Sequence, residues 1–168
     1  MKTTPHSQLV FRICLTAFLF LTPLVEANAK ISQPPRFAKA HITIQTMDGR
    51  EIPYSVEVAI TPYQHEYGLM FRRSMPKQSG MLFLFNPDSD PAKGAAFWMK
   101  NTKISLDMIF VRDDGTINEI HARAVPEDLT PIMPAEPAHA VIEINGGEAE
   151  RLNIKAGDKV VYPGLGAP

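Results

Sequence analysis

Residues 41–60, HITIQTMDGREIPYSVEVAI, give the clearest indication of the fold class. Apolar and polar residues alternate on both sides of Asp48-Gly49, a period of two that is typical of strands with one buried face. The Asp-Gly pair supplies the positive φ angles of a two-residue hairpin turn. The stretch therefore predicts a β-hairpin whose apolar face carries Ile42, Ile44, Ile52, Tyr54, Val56, Val58 and Ile60.

The strand pattern continues along the chain. RDDGT (112–116) predicts a second turn between two alternating runs, and NGG (145–147) ends another. The predicted strands beyond the hairpin are MLFLF, AFWMKN, LDMIFV, TINEIHARA, AVIEI and KVVY. A count of about eight, with short connections, predicts a mainly β fold, either an antiparallel β-sandwich or a partly open β-barrel.

One short α-helix is predicted over about residues 62–71. Thr61 is a good N-cap, Pro62 fits the first helical position, and Gln64 completes a T-x-x-Q capping box. EAERL (148–152) is long enough for a single helical turn. We therefore expect a helix that packs on, or caps, a β-sheet.

Residues 1–29 resemble a secretory signal peptide. Basic residues precede the apolar run ICLTAFLFL (13–21), and ANA (27–29) is a small-x-small cleavage site. Pro23 and Glu26 interrupt the apolar stretch before it reaches the roughly 20 residues that span a bilayer. We therefore expect cleavage after Ala29 and a periplasmic or secreted product that is not inserted in the membrane.

The rest of the chain is predicted to form one domain. KISQPPRFAK (30–39) has the composition of a flexible linker, 40–162 a single β-rich domain, and 163–168 a loose tail. The single cysteine, Cys14, lies in the segment expected to be removed. The mature chain therefore has no disulfide, thiolate ligand or cysteine nucleophile, and must fold on its hydrophobic core.

The charge of the chain argues against a nucleic-acid partner. Removing Lys2, Arg12 and Glu26 leaves 15 basic and 17 acidic residues, a net charge of −2, with no basic run beyond FRR (71–73). Nucleic-acid binding needs a clustered positive field. We expect a monomer that binds no nucleic acid.

AFWMKNTKISLDMIF, residues 96–110, contains the polar residues that a core does not explain. In the predicted strands, alternation places Trp98 and Lys100 on one face and Asn101 on the other. Asp107 lies within an otherwise apolar strand, where a carboxylate needs a partner such as Arg72, Lys100 or Lys103. A structural ion pair, or the cap of a turn, is the alternative explanation of Asp107.

Two other functions stay open. Seven of the eight methionines follow residue 29, and thioether sulfur selects copper(I) or silver(I), with a tryptophan face as a cation cover. The same methionines also fit core positions. Glu143 and Asp107 could form the acid and base of an envelope polymer hydrolase. No catalytic motif, metal-ligand spacing or cofactor fingerprint is present, so we assign no catalytic residue, metal or cofactor, and leave open whether the chain is an enzyme.

The ordered series GLMFRRSMP, GMLFLF, FWMKNT, LDMIFV, VIEINGG and AGDKV resembles the bacterial and archaeal family called domain of unknown function 192, over about 42–162. The resemblance implies a β-rich domain, often behind a signal peptide, with no established activity. His65 departs from the family pattern, in which many members have an arginine. The family motif falls on Gly68, Leu69, Met70, Arg72, Gly80, Met81, Phe83, Trp98, Met99, Asn101, Thr102, Leu106, Asp107, Gly157 and Asp158.

The polar members of the motif, together with Lys100, form the predicted ligand site. We expect Arg72 and Lys100 to take an anion or carboxylate, Trp98 to provide a stacking wall, Asn101 to orient the ligand, and Asp107 to hold the cations. The alternative is that Arg72 and Asp107 lock the helix to the sheet while Asn101 shapes a turn. The sequence thus favours an exported module that binds a small ligand or a segment of an envelope protein.

Overall fold

A computed structural model describes residues 33–85 and 96–163 of the chain. The predicted signal peptide, residues 30–32 of the predicted linker and residues 164–168 of the predicted tail lie outside the described residues.

The described residues form seven strands and two short helices, which confirms the mainly β prediction. In chain order they are β1 (Ala38–Gln45), β2 (Glu51–Ala59), α1 (Pro62–Tyr67), β3 (Ser79–Leu84), β4 (Leu106–Val111), β5 (Ile117–Ala124), β6 (Ala140–Asn145), α2 (Glu148–Leu152) and β7 (Lys159–Val161).

The predicted hairpin is formed by β1 and β2, which pair from Ala38↔Val58 to Gln45↔Glu51. Its turn is one residue longer than predicted. The Thr46 N–H donates to the Arg50 carbonyl oxygen at 2.9 Å, which leaves three residues in the loop, with Gly49 at φ 86°. Three-residue hairpin loops use a residue of positive φ at this place, so the Asp-Gly pair identified the turn but not its length.

The strands form one mixed sheet in the order β5-β4-β6-β3-β2-β1-β7. The antiparallel prediction is wrong for one pair, because β2 and β3 run parallel from Ser55↔Ser79 to Ala59↔Phe83. A parallel pair needs a crossover, and the connection that carries α1 supplies it.

The two ends of the sheet meet at one corner. The Ile117 N–H donates to the Asp158 carbonyl oxygen and the Val160 N–H to the Gly115 carbonyl oxygen, both at 2.8 Å, around a bridge between Thr116 and Lys159. The sheet is therefore curled and joined at one corner. This confirms the partly open β-barrel rather than the sandwich.

Each face of the curled sheet buries its own apolar cluster. In β4, Ile109 and Val111 belong to the cluster that includes Ile42, Val56 and Ile142. Leu106, Met108 and Phe110 belong to the other, with Met81, Phe83 and Met99. The alternation predicted for β4 is confirmed, and we call the face that carries Met81 and Met108 the outer face.

The predicted eighth strand and the predicted helix both differ from the structure. Residues 96–101 are not a strand, and only Phe97 makes a β-bridge, to Ile132. The helix α1 has the predicted capping box but ends at Tyr67, because Gly68 takes φ 45° and ψ −130°. The single turn predicted at 148–152 is α2. Within the described part of the chain, no helix is both long and apolar enough to cross a bilayer.

Candidate functional site

A pocket of about 290 Å³ lies on the outer face of the sheet, between α1, β3 and the segment 96–102. Aromatic rings from three elements wall it, exposed side chains lie at its mouth, and one buried carboxyl group lines it. The residues that matter most for its chemistry are His65, Phe83, Phe85, Phe97, Trp98, Lys100 and Glu143.

The aromatic wall is built by mutual packing. The Phe97 ring meets Phe83 and Phe85 edge to face, with centroids 5.4 and 6.2 Å apart. The His65 ring lies 5.0 Å from Phe85, and its Nε2 lies 3.1 Å from the Ala59 carbonyl oxygen. Edge-to-face contacts of this kind fix ring orientation, so this wall is formed before any ligand arrives.

Trp98 lies at the mouth of the pocket with 45% of its surface exposed. Backbone hydrogen bonds hold the segment in place, from Phe97 N–H to Ile132 O and from Met99 N–H to Asp128 O, both 2.9 Å. Met99 is buried, whereas Trp98 and Lys100 are exposed. The predicted alternation of sides therefore holds although the segment is not a strand.

Glu143 was considered from the sequence only as a partner of Asp107, but in the structure it belongs to the pocket. It lies on β6 between Met81 of β3 and Met108 of β4, is 5% exposed, and lines the pocket. Desolvation by burial raises the pKa of its carboxyl group to about 8, against a smaller lowering by the nearby Arg72 guanidinium. The sequence signal for Glu143 is an acidic residue within the apolar run AVIEI, the same pattern that LDMIFV shows at Asp107.

Arg72 does not line the pocket that contains Trp98. Its guanidinium pairs with Glu57 of β2 at 2.5 Å, and the two side chains are about a third and a quarter exposed. Glu57 pairs with Met81 in the sheet, so this ion pair and Glu143 lie on either side of Met81. Arg72 instead lines neighbouring grooves, one of them with Phe37 and the other with Lys39.

Asn101 shapes a turn. It adopts φ 56°, its carbonyl oxygen accepts the Phe71 N–H at 2.8 Å, and its side-chain amide lies 3.8 Å from the Met70 sulfur. This arrangement fits the structural alternative for Asn101, since the residue connects the segment 96–102 to the end of the helical region.

Asp107 is fully buried, and its partners are backbone amides. Its carboxylate accepts the N–H groups of Arg123, Gly147 and Ala149 at 2.8, 2.8 and 2.9 Å. The expected partnership with Arg72, Lys100 or Lys103 is therefore wrong. The expectation that the buried carboxylate needs a stabilising partner is correct, but its partners are three backbone N–H groups and not a cation.

Of the five predicted site residues, only Trp98 and Lys100 line this pocket, while Arg72, Asn101 and Asp107 lie elsewhere. Ligand binding by these residues stays a prediction.

Asp107 and Glu143 do not face each other. Asp107 is opposite Ile144 in the sheet and Glu143 is opposite Met108, so the two side chains point to opposite faces. They cannot form the acid and base pair considered for a hydrolase.

The methionines divide between core and surface. Met70, Met81, Met99 and Met108 are buried, as gap-filling core residues would be, while Met47 and Met133 are more than half exposed. Copper(I) binding stays a prediction. Among the described residues, no group of three or more histidine, cysteine or acidic side chains could hold a metal ion.

The fold and the pocket define a class: a small, mainly β domain with a curled mixed sheet and an aromatic-walled pocket on its outer face. The chain belongs to the family of domain of unknown function 192, DUF192, described as "Uncharacterized ACR", whose model matches residues 43–162. The match confirms the resemblance drawn from the motif series.

Two solved structures show the same fold. A protein from Sinorhizobium meliloti 1021, named for an assumed role as a transcription regulator, is 39% identical, with a TM-score of 0.70 over 79% of this chain and 100% of that chain. A protein of unknown function from Novosphingobium aromaticivorans DSM 12444 is 40% identical, with a TM-score of 0.69 over 78% of this chain and 94% of that chain. No curated protein matches the chain.

Proposed function

We propose that the protein is a binding module, and that the pocket beside Trp98 takes a small ligand or an apolar side chain of an envelope protein. The observation that carries this proposal is the exposure of Trp98 in a concavity whose rings are already packed. A half-exposed tryptophan on a preformed wall offers a large apolar contact at low cost in conformational entropy.

The dimensions of the pocket support a small partner. Its volume of about 290 Å³ is close to the lower end of the range of ligand pockets, roughly 300–1,000 Å³. Its lining also combines apolar walls with a few polar groups, as ligand pockets do. A small fragment, or one large side chain of a peptide, is the size of partner that such a space accommodates.

We also propose that the module works outside the cytoplasm, in the periplasm or as a secreted protein. The support is the order of basic, apolar and small-residue segments in residues 1–29. Cell fractionation followed by N-terminal sequencing tests this, with Lys30 expected as the first residue. An intact Met1 on the protein recovered from the cytoplasm would contradict it.

The binding proposal is tested by a melting-temperature screen against metals, sugars, peptides and nucleotides. A ligand that binds the native state at 100 times its Kd adds about 2.7 kcal/mol to the free energy of unfolding. Trp98→Ala should remove the shift. Phe71→Ala is the matched control, because Phe71 is also about half exposed but lines a neighbouring groove.

The pattern of responses decides between functions. A shift lost in Trp98→Ala and kept in Phe71→Ala supports the pocket as the binding site. A shift that survives in Trp98→Ala contradicts it. A shift given only by copper(I) or silver(I) would favour the soft-metal alternative.

A further inference from the structure

The outer face of the sheet carries three ionisable groups, Glu57, Arg72 and Glu143, in an apolar setting. Glu57, Met81, Glu143 and Met108 are cross-strand neighbours on four successive strands, and Arg72 pairs with Glu57 at 2.5 Å. The ion pairs found among residues 33–85 and 96–163 do not include Glu143. An ionised Glu143 would therefore leave this face with one excess negative charge.

We propose that Glu143 selects the ligand of the pocket: an organic ammonium group on an apolar body, which lies among the aromatic rings and pairs with the Glu143 carboxylate. This inference rests on the proposed binding function. It goes further because it names the chemical class of the ligand and the residue that determines it.

The lining of the pocket suits a cation on an apolar carrier. Aromatic rings attract an ammonium group through their negative faces, and Trp does so most strongly. Trp98 and the three phenylalanines supply such rings, while the buried carboxyl group supplies the counter-charge. Burying one charge is costly, and burying it with a partner recovers much of that cost.

An anion is less well accommodated. Arg72, the strongest cation expected at the site, is already paired with Glu57 and lies outside the pocket. Lys100 is exposed at the mouth, where solvent screens its charge.

Binding of the ammonium group exchanges one proton. With the pocket free, the raised pKa keeps the Glu143 carboxyl group largely protonated at neutral pH. The incoming ammonium pairs with the carboxylate, and the carboxyl proton leaves to solvent, so charge and protons balance. The affinity for the ammonium ligand should therefore rise with pH until Glu143 is ionised in the free protein.

Several other titratable groups face the same region and must be considered when the pH dependence of binding is interpreted. His65 and Glu66 of α1 and Lys100 line the pocket, and the pair of Arg72 and Glu57 lies across Met81. His121 lies one strand beyond Met108. The effect expected from Glu143 continues up to about pH 8, the raised pKa of its carboxyl group.

The test uses three probes of one shape, 3-phenylpropylamine, 3-phenylpropan-1-ol and 3-phenylpropanoate, titrated into the full chain. Trp98 is the only tryptophan, so its fluorescence reports occupancy of the pocket directly. We expect the amine to bind at least about tenfold tighter than the alcohol at pH 8, a difference of about 1.4 kcal/mol. Its Kd should fall about ninefold from pH 6 to 7 and about fivefold from pH 7 to 8.

Two variants sharpen the test. Glu143→Gln should abolish both the preference for the amine and the pH dependence, because glutamine mimics the protonated acid and cannot ionise. Glu66→Gln is the matched control, since it removes an exposed carboxylate from the same lining, and it should change the Kd of the amine by less than about threefold. If Glu143→Gln does not fold, the pH series on the unaltered protein still decides.

The outcomes separate the two proposals. Equal binding of the alcohol and the amine, or amine binding independent of pH, overturns the role of Glu143 and leaves the pocket supported. A fluorescence response to none of the probes counts against both the pocket and its cation preference. Tighter binding of the propanoate also overturns the cation proposal, and it favours an anion site at Lys100.

Discussion

Asp107 and Glu143 both have carboxyl groups within apolar strands, but the two groups differ in their hydrogen-bond partners and in their protonation. Asp107 receives three backbone N–H groups within 2.9 Å. Glu143 lies between Met81 and Met108, and burial raises the pKa of its carboxyl group to about 8. One residue is thereby committed to structure, whereas the other retains a proton that a ligand could displace.

The raised pKa of Glu143 predicts how stability depends on pH. The native state binds this proton more tightly than the unfolded chain, in which the glutamate pKa is near 4.5. The free energy of unfolding should therefore be highest below about pH 4.5 as far as this group is concerned, fall as pH rises, and level off above about pH 8. The free energy of unfolding should fall by about 1.3 kcal/mol per pH unit between pH 6 and 7.

Urea denaturation at pH 6, 7 and 8 measures this slope in the ligand-free protein. The same series on Glu143→Gln isolates the contribution of this residue, because the two proteins differ only in the carboxyl group at position 143. Parallel curves for the two proteins would contradict the raised pKa.

At the scale of elements, Asp107 joins three pieces of the fold. It extends from β4 to the end of β5 at Arg123 and to the start of α2 at Gly147 and Ala149. The N-cap residue of α2, Gly147, has no side chain that could cap the helix. The Asp107 carboxylate, from β4, instead accepts the free N–H groups of Gly147 and Ala149. A five-residue helix gains little from propensity alone and depends on such contacts.

Asp107→Asn should lower the free energy of unfolding by about 2–4 kcal/mol, because an amide nitrogen would replace one acceptor and leave buried N–H groups unpaired. Urea denaturation at pH 7 measures the change. Asp113→Asn, in the exposed turn before β5, is the control and should change stability by less than about 0.5 kcal/mol. An effect of Asp107→Asn as small as that of the control would contradict the role of Asp107 as a structural anchor.

At the scale of the molecule, the contact between the two sheet ends determines whether the curled sheet unfolds as one unit. The N–H groups of Ile117 and Val160 form the hydrogen bonds of this contact, and both side chains are buried. We expect both amides to exchange with deuterium only through global unfolding, with an exchange free energy equal to that from urea denaturation.

Native-state hydrogen exchange measures this directly. The amide of Thr130, which lies in an exposed loop, should exchange through local opening and serves as the comparison. Exchange of Val160 as fast as that of Thr130 would show that β7 opens independently of the sheet.

Much of the fold was predictable because its causes are local. Alternation across β1, β2 and β4 follows from a side-chain period of two, and the start of α1 follows from a capping box of four consecutive residues. The parallel pairing of β2 with β3 was not predictable, because an apolar run such as MLFLF does not indicate in which direction the neighbouring strand runs. The prediction of an eighth strand was wrong for a related reason. Residues 97–101 alternate in burial, as a strand would, but they hydrogen-bond to a loop and not to a strand.

The amino-acid sequence was enough to predict the mainly β class, the family and two residues of the pocket lining, Trp98 and Lys100, because each depends on residue type and local spacing. The partners and surroundings of the charged side chains became evident only in the folded chain. Arg72 pairs with Glu57, Asp107 with backbone amides, and Glu143 lies in the pocket. Burial and pairing depend on which strands are neighbours, and that information is not contained in any one stretch of the chain.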